Sequence, residues 1–277
     1  MLYFIPTPIG NLEDISLRSL NILAKSSLVF CEDTRVAKKL INLLQKNSNL
    51  DFIEKNFISM HSHNEERVIK ELNKETFDQT VVYLSDAGMP CVSDPGCKLV
   101  EYAQKNSIEY EVLPGANAAL LAYAASGFCQ KEFLFFGFLS HKTKSRNEEL
   151  QKLINSSYTT ILYESPHRIK KLIDELSSLI PNHQIFLAKE LTKMYELKLK
   201  GTAKEIKENF KDINTKGEWV VVVSGTYEST KGEAITIEDI LSLDIPKKAA
   251  SKLIAKLTGE NPKECYKQLL HSSNPKG

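Results

Sequence analysis

The segment 81–98, VVYLSDAGMPCVSDPGCK, restricts what this chain can fold into more than any other stretch. Its first four residues are apolar or aromatic, as in a buried strand, and the loop after them contains two glycines and two prolines. Asp94 and Pro95 then predict the start of a helix that runs to about Asn106, because aspartate caps helices and proline suits their first turn. In open α/β sheets small ligands bind where such a loop leaves the carboxyl end of a strand. An ordinary strand-to-helix crossover without a ligand has the same pattern.

Strands and helices alternate along the rest of the chain in the same way. Ser165 and Pro166, for example, predict another helix start. Short apolar runs predict further strands at 2–5, 27–31, 57–60 and 110–113, and later at 133–139, 159–163, 184–189, 195–200 and 219–224. We therefore expect an α/β chain with two α/β domains, residues 1–115 and 116–227, followed by a small helical extension, residues 228–277.

Composition and charge exclude several classes of protein. The chain has 277 residues and a formal net charge of +1, so a nucleic-acid partner would have to be bound by a local basic face. No apolar run reaches the roughly 18 residues that span a bilayer, and the segment MLYFIP lacks a basic n-region. We therefore expect no membrane partner and no signal peptide. The five cysteines lack the spacing of a disulfide framework, which indicates reduced thiols and a cytoplasmic location.

Familiar catalytic signatures are absent from the sequence. It contains no GxGxxG motif after the first strand, no Walker A motif, no GxSxG elbow and no HExxH pair. These absences weaken assignment as a dinucleotide oxidoreductase, an NTPase, a serine hydrolase or a zinc protease. His61 and His63 lie close together, but no third ligand stands at a zinc spacing. We therefore expect no metal, and hydrogen bonding at a pocket rim for these histidines.

Small and polar residues collect where the predicted strands end, in the segments 6–11, 32–35, 85–92, 114–118, 163–168 and 189–193. If the two sheets pack with these ends facing each other, the loops enclose a cleft, which is a frequent position for a small-molecule site. Asp86 offers a carboxylate at the tip of its strand, and Gly88 lets the backbone approach a ligand closely.

Seven segments occur in the order seen in one protein family. They are IPTPIGNLEDIS, CEDTR, SDAGMPCVSDPG, LPGANA, YESPHR, KELTKMYE and GEWVVVV, from residue 2 to about residue 223. In this order they resemble the ribosomal RNA small subunit methyltransferase I family, a branch of the tetrapyrrole-methylase superfamily of class III S-adenosylmethionine (SAM) enzymes. The tail segments KKAASKLIAKLTG and CYKQLL are similar to the C-terminal extension of that family.

The resemblance implies a fold, an activity and partners. The fold is two α/β domains with SAM bound in the cleft between them, and the assembly is a homodimer. The activity is methyl transfer from SAM, without a metal, to the ribose 2′-oxygen of a decoding-centre cytidine in 16S rRNA, within the small ribosomal subunit. A small-molecule tetrapyrrole methylase and an RNA-binding module without catalysis remain as alternatives. The motifs EDTR and YESPHR and the lysine-bearing tail favour RNA over a porphyrinoid.

The resemblance also implies cofactor-binding residues, which act largely through backbone groups of loops rich in small residues. The first loop, PTPIGN, lacks the glycine cluster of the tetrapyrrole enzymes, so we expect its Asn11 to contact substrate instead. If Gly115 borders the cofactor, Gly115→Val should block binding and leave the protein folded. The implied cofactor-binding residues are Asp86, Gly88, Met89, Val92, Gly115, Asn117, Ala118, Tyr163, Ala188 and Glu218.

The implied reaction needs a proton acceptor, because a ribose hydroxyl is a poor nucleophile until it loses its proton. Alignment of the ribose oxygen with the donor's sulfur–methyl bond should supply much of the acceleration. The sequence does not choose the base. The candidates are Glu32, Asp33, His63, Glu164 and Glu190, with Lys189 able to assist, and an ion pair that shapes the cleft is the alternative for every candidate. We predict catalytic residues at strand ends, namely Glu32, Arg35, Glu164, Lys189 and Glu190. The predicted substrate-binding residues are Asn11, His63, Arg168 and Lys193.

Overall fold

The computed structural model describes residues 1–225 and 235–271, and every structural statement below refers to these residues. They form two compact units, Met1–Thr226 and Tyr227–Gly277. No described helix is long and apolar enough to cross a membrane. Both β-sheets belong to the first unit, so the expected domain boundary at residue 115 stays a prediction.

The first sheet, within residues 1–225, consists of five parallel strands. Its central strand is the apolar run VVYL, whose four side chains are all buried as the sequence predicts. Parallel strands place their carboxyl ends at one edge of a sheet, so the loops that follow them meet there. The strands, in the spatial order β3-β2-β4-β1-β5, are β1 (Leu2–Ile5), β2 (Leu28–Cys31), β3 (Asn56–Ser59), β4 (Val81–Leu84) and β5 (Tyr110–Val112).

The second sheet is mixed and follows in the chain. Its order is β6-β7-β10-β8-β9, from β6 (Phe133–Phe138), β7 (Thr159–Glu164), β8 (Gln184–Lys189), β9 (Leu197–Thr202) and β10 (Trp219–Val223). β6 runs parallel to β7, whereas β10 pairs antiparallel with both β7 and β8. The run WVVVV of β10 is buried over its whole length, which fits its central position.

Helices pack on both faces of the first sheet. Alternate strand residues point to opposite faces, and the two faces contribute to two separate apolar clusters. Side chains of the first two helices pack in one cluster, and side chains of the next two pack in the other. The helices of the first unit are α1 (Leu17–Lys25), α2 (Thr34–Lys46), α3 (Glu65–Glu71), α4 (Cys97–Lys105), α5 (Ala118–Ser126), α6 (Thr143–Ile154), α7 (Ile169–Leu179) and α8 (Ala203–Asn209).

Two helix starts differ from the sequence prediction. α4 begins at Cys97 and not at Pro95, because Gly96 takes a left-handed φ of +118° and forms the N-cap without a side-chain hydrogen bond. α7 begins at Ile169 and not at Pro166, because residues 165–168 form a turn instead of the first helical turn. The helix starts predicted at Asp94–Pro95 and at Ser165–Pro166 are therefore both wrong. These four residues lie instead in loops at the ends of strands.

The second unit is helical, as the sequence predicts. Thr236 and Asp239 form a capping box at its first helix, and the buried residues of all three helices make one small apolar cluster. Its described helices are α9 (Ile237–Ser242), α10 (Lys247–Thr258) and α11 (Pro262–His271).

Candidate active site

A cavity of about 400 Å³ lies in the first unit, and loops of both sheets line it. Because Asp86 and Glu164 border the same cavity, the strand-end loops converge as we expected from the sequence. The first sheet and the start of α5 contribute Ile9, Glu32, Asp86, Ala87, Gly88, Met89, Val92, Ser93, Asp94, Asn117 and Ala118. The second sheet contributes Phe138, Tyr163, Glu164, Ser165, Pro166, Leu191, Glu218, Trp219 and Val220.

Gly88 fixes the loop after β4 against the loop after β1. Its backbone exchanges two hydrogen bonds with Thr7, at 2.9 and 3.0 Å, and its φ of +88° lies in the left-handed region that favours glycine. The Ser85 hydroxyl donates to the Gly88 carbonyl at 2.8 Å. The glycine therefore holds two cavity-lining loops together as well as bordering the cavity itself.

Glu32, Asp86 and Asp94 form an acidic group on the wall that the first sheet provides. Glu32 Oε1 accepts a hydrogen bond from the backbone N–H of Asp86 at 3.2 Å, and Asp86 Oδ1 accepts one from the backbone N–H of Asp33 at 3.2 Å. Burial raises the pKa of both Glu32 and Asp86. Burial, together with the charges of these two residues, raises the pKa of Asp94 to about 7.

Asp94 was expected to cap a helix, but it borders the cavity instead. Cys91 and Ser93 both take left-handed backbone conformations, with φ of +68° and +62°, which are unfavourable for residues other than glycine. This backbone and the left-handed Gly96 carry the chain away from the helix axis before α4 begins. The sequence signal was the repeat of the pair SD in SDAGMPCVSDPG, which places a second aspartate in the same loop.

Glu164 lies at the cavity wall with both carboxylate oxygens occupied. Arg168 Nε lies 2.7 Å from its Oε1, Arg146 Nη1 lies 3.3 Å from its Oε2, and the backbone N–H of Ser165 donates to Oε1 at 2.8 Å. Arg146 also pairs with Glu175 at 2.8 Å and is only 3% exposed. This network supports a structural role for Glu164 and Arg168 in place of the predicted catalytic and substrate-binding roles. Sequence reasoning missed Arg146, whose partners are distant in the chain.

Lys189, Glu190 and Lys193 lie beside the cavity without lining it. Lys189 Nζ donates to the carbonyl of Asn214 at 2.8 Å, so this buried lysine is held in the second sheet. Lys193 Nζ lies 2.9 Å from carboxylate oxygens of both Glu190 and Glu218. Of these charged groups only Glu218 borders the cavity, and Lys193 compensates its charge.

Three further predicted polar residues, all exposed, also lie outside the cavity lining. Arg35 pairs with Asp33 at 2.6 Å, and its side chain is 88% exposed. Asn11 is exposed, and its side-chain oxygen accepts from the backbone N–H of Glu13. His63 is exposed beside His61, with the two rings 5.9 Å apart. Among the described residues, no cluster of three or more His, Cys, Asp or Glu side chains could hold a metal ion.

The predicted cofactor-binding residues divide into two groups. Gly115 and Ala188 lie outside the lining: a Cβ on Gly115 would meet Pro6 Cβ at 2.6 Å, and Ala188 is buried within β8. The expectation that Gly115→Val blocks a ligand in a folded protein is therefore wrong, because the added bulk meets Pro6. The others, Asp86, Gly88, Met89, Val92, Asn117, Ala118, Tyr163 and Glu218, border the cavity.

The cavity also contains apolar residues that the sequence did not indicate as site residues. Ile9, Phe138 and Leu191 border it together with the predicted Met89 and Val92. Isolated apolar residues at strand ends carry no pattern that distinguishes a pocket wall from a core. The combination of apolar walls, backbone-rich loops and an acidic group suits a small organic cation with an extended apolar part.

Comparison with known proteins identifies the family of this chain. A family model described as Tetrapyrrole (Corrin/Porphyrin) Methylases matches residues 1–207. The chain is 48% identical over 271 residues to "Ribosomal RNA small subunit methyltransferase I" of Campylobacter fetus subsp. fetus, with coverage of 98% of this chain and all of the relative. It is 35% identical over 262 residues to the protein of that name from Bacillus subtilis, with coverage of 91% and 86%.

Solved structures of low sequence identity share the fold. Uroporphyrin-III C-methyl transferase from Thermus thermophilus, complexed with S-adenyl homocysteine, has a TM-score of 0.54 at 15% identity and covers 80% of this chain and 96% of its own. Cobalt precorrin-4 methyltransferase, a cobalamin biosynthetic enzyme, has a TM-score of 0.58 at 16% identity, with coverage of 80% and 94%.

Proposed function

Because this chain belongs to the tetrapyrrole methylase family, in its ribosomal RNA small subunit methyltransferase I branch, we propose that it methylates 16S rRNA. The methyl donor is SAM, and the acceptor is the ribose 2′-hydroxyl of a cytidine in the decoding centre. The family and the α/β fold that the sequence predicts are confirmed. A ribosomal substrate, presented in the small subunit, would place the protein in the cytoplasm.

The observation that carries this proposal is the single cavity shared by the two sheets. Its volume of about 400 Å³ falls in the range of small-molecule sites. Its lining contains, among the described residues, five carboxylates and no lysine or arginine. Arginines outside the lining compensate Glu164, and Lys193 compensates Glu218, so Glu32, Asp86 and Asp94 leave a negative wall. A sulfonium and an ammonium group are the complement of such a wall.

The residues present therefore fit SAM. We propose that backbone groups of 86–92 and 117–118 hold it, with Tyr163 and Glu218 on the opposite wall. When bound, SAM supplies a methyl group that is already activated by attachment to a positively charged sulfur. Ile9, Met89 and Phe138 provide apolar surface that excludes water from the donor. The cavity gives no support for direct cofactor contacts by Gly115 and Ala188.

The RNA contacts that we propose lie outside the cavity. Arg35, Asn11 and His63 are exposed, and an arginine at this position can hold a phosphate or a ribose. Arg168 donates to the carbonyl of Leu139 and pairs with Glu164, so its Nε and Nη1 groups are engaged within the protein. We assign the positioning of Leu191 and Glu218 at the cavity wall to the Glu190–Lys193–Glu218 network.

A homodimer is part of the proposal. β6 is an edge strand of the second sheet, and its Phe133, Leu134 and Phe138 are 39%, 41% and 53% exposed. Folded proteins rarely leave an apolar edge strand uncovered, because its free backbone groups and side chains promote association. A second copy of the chain that covers β6 would also reach the cavity, since Phe138 belongs to both.

The test is methyl transfer from tritiated SAM to small ribosomal subunits purified from cells that lack the enzyme. We expect label in one cytidine, and alkali resistance of the following phosphodiester bond, because a 2′-O-methyl group blocks its cleavage. Large ribosomal subunits serve as the control and should stay unlabelled. Label on a base, or transfer only to a uroporphyrinoid offered in parallel, would overturn the proposal.

A further inference from the structure

Asp94 differs from every other acid at the cavity in having no partner. Its carboxylate borders the cavity, and no hydrogen bond or ion pair joins it to any residue in the described ranges. The left-handed Cys91 and Ser93 hold it there, away from the helix start that its sequence position predicts. Strained backbone that presents an unpaired polar group to a cavity is a feature of functional sites.

The other cavity acids are already engaged. Glu32 accepts the backbone N–H of Asp86, and Asp86 accepts the backbone N–H of Asp33, so both acids join the loop after β2 to the loop after β4. Glu164 has arginine on both oxygens, and Glu218 is paired with Lys193. The arginines beside Glu164 and Lys193 beside Glu218 compensate those two charges, whereas the hydrogen bonds of Glu32 and Asp86 only partly offset the burial that raises their pKa.

The surroundings of Asp94 make it a better base than an ordinary aspartate. Burial and the charges of Glu32 and Asp86 disfavour its ionised form and hold its pKa at about 7. Half of the molecules then carry the base form at neutral pH, and that form has a stronger affinity for protons than a free carboxylate. The titratable groups that interact with it are Glu32, Asp86, Tyr83 and Cys91 from the first sheet and its loops and Tyr163 from the second sheet. Glu164 and Glu218 line the same cavity, and Glu65 on α3 binds the backbone N–H of Gly96.

We propose that Asp94 is the catalytic base that takes the proton of the ribose hydroxyl, an inference that rests on the proposed function. In the step, the 2′-oxygen forms a bond to the methyl carbon while the carbon–sulfur bond breaks and its electron pair stays on sulfur. The hydroxyl proton goes to a carboxylate oxygen of Asp94, and solvent removes it after product leaves. This assignment replaces the candidates that the sequence offered, which were Glu32, Asp33, His63, Glu164 and Glu190, with Lys189 as an assisting group.

The first experiment measures single-turnover methylation of small ribosomal subunits at saturating SAM, from pH 5.5 to 9. For the wild type we expect the logarithm of the rate to rise with a slope of 1 at low pH and to level off below about pH 7, because the positive charge of bound SAM lowers the pKa of Asp94 from its value of about 7 in the free protein. Asp94→Asn should lower the plateau rate by about 100-fold or more and remove the rising limb. Asp94→Glu, which keeps the carboxylate, should recover part of the rate and the pH limb.

Calorimetry separates catalysis from cofactor binding. Asp94→Asn removes one of the three acids of the negative wall and should weaken SAM binding, but if Asp94 is the base the methylation rate should stay low even at saturating SAM. A variant that loses SAM affinity but keeps the wild-type rate at saturation would overturn the inference in favour of a binding role. A variant that keeps both the rate and the pH limb would overturn it outright.

A titration without any substrate gives an independent readout. Carboxyl carbons of cofactor-free protein labelled with ¹³C-aspartate can be followed by NMR, and the signal missing from Asp94→Asn identifies the residue. We expect that signal to titrate near pH 7, and a midpoint below about 5 would contradict the inference. A wild type that binds SAM but methylates no ribosomal subunit would instead overturn the proposed function, and the inference with it.

Discussion

Asp94 should destabilise the folded protein at alkaline pH, because its folded-state pKa of about 7 lies above the ordinary value of 3.8. Between these values the folded state binds a proton that the unfolded chain has lost, so stability falls as pH rises and levels off above about 7. Asp94→Asn removes this pH-dependent loss of stability, because asparagine does not ionise. We therefore expect its melting temperature to exceed that of the wild type at pH 8, and the difference to shrink at pH 5. Equal differences at both pH values would contradict the shifted pKa.

Arg146, on α6, should be highly sensitive to substitution. It is 3% exposed and pairs with Glu164 and Glu175, so Arg146→Met leaves Glu164 with Arg168 alone and Glu175 with only Lys171, which lies 3.8 Å away. Breaking a buried pair in this way costs about 3–5 kcal/mol of unfolding free energy. Urea denaturation measures the loss, with Arg18→Met as the matched control. Arg18 pairs with Glu111 at 2.8 Å but is 54% exposed, so its loss should cost less than about 1 kcal/mol. Similar losses for both variants would refute the account of the network.

At the scale of elements, two positions that follow β5 should respond differently to added bulk. A Cβ at Gly115 meets Pro6 at 2.6 Å, whereas Ala118 borders the cavity at the start of α5. Gly115→Val should lower the melting temperature strongly, because the added side chain has no space. Ala118→Val should leave the protein folded and weaken SAM binding, because its added methyl groups occupy the cavity. Melting curves and calorimetry distinguish the two, and exchanged outcomes would contradict the described loops.

The strands and the loops at their ends show what sequence patterns can and cannot predict. Apolar runs such as VVYL and WVVVV predict strands, because burial requires them, and the loops at their ends follow from the alternation of strands and helices. The position of Asp94 could not be predicted, since it depends on left-handed conformations at Cys91 and Ser93 that neither residue favours. The ion pairs of Arg146 could not be predicted for a different reason. Its partners Glu164 and Glu175 are 18 and 29 residues away, and no local pattern encodes that pairing.

At the scale of the whole molecule, the exposed edge of β6 leads to a prediction about assembly. Leu134→Glu places a charge on the edge strand that we propose is covered by a second copy. Light scattering should show a dimer for the wild type and a monomer for this variant. Leu17→Glu is the matched control, because Leu17 is an exposed leucine on α1, outside the edge strand, and should leave the dimer intact. A monomeric wild type, or a dimeric Leu134→Glu, would contradict the proposed interface.

The central claim is that loops from two sheets build one cavity for the methyl donor. A crystal structure of the protein with S-adenosylhomocysteine tests it most directly. We predict that the ligand lies in the cavity between Asp86 and Tyr163, in contact with backbone groups of 86–92 and 117–118, and with its sulfur facing the carboxylate of Asp94. A ligand bound elsewhere on the chain, with this cavity filled only by water, would contradict the claim.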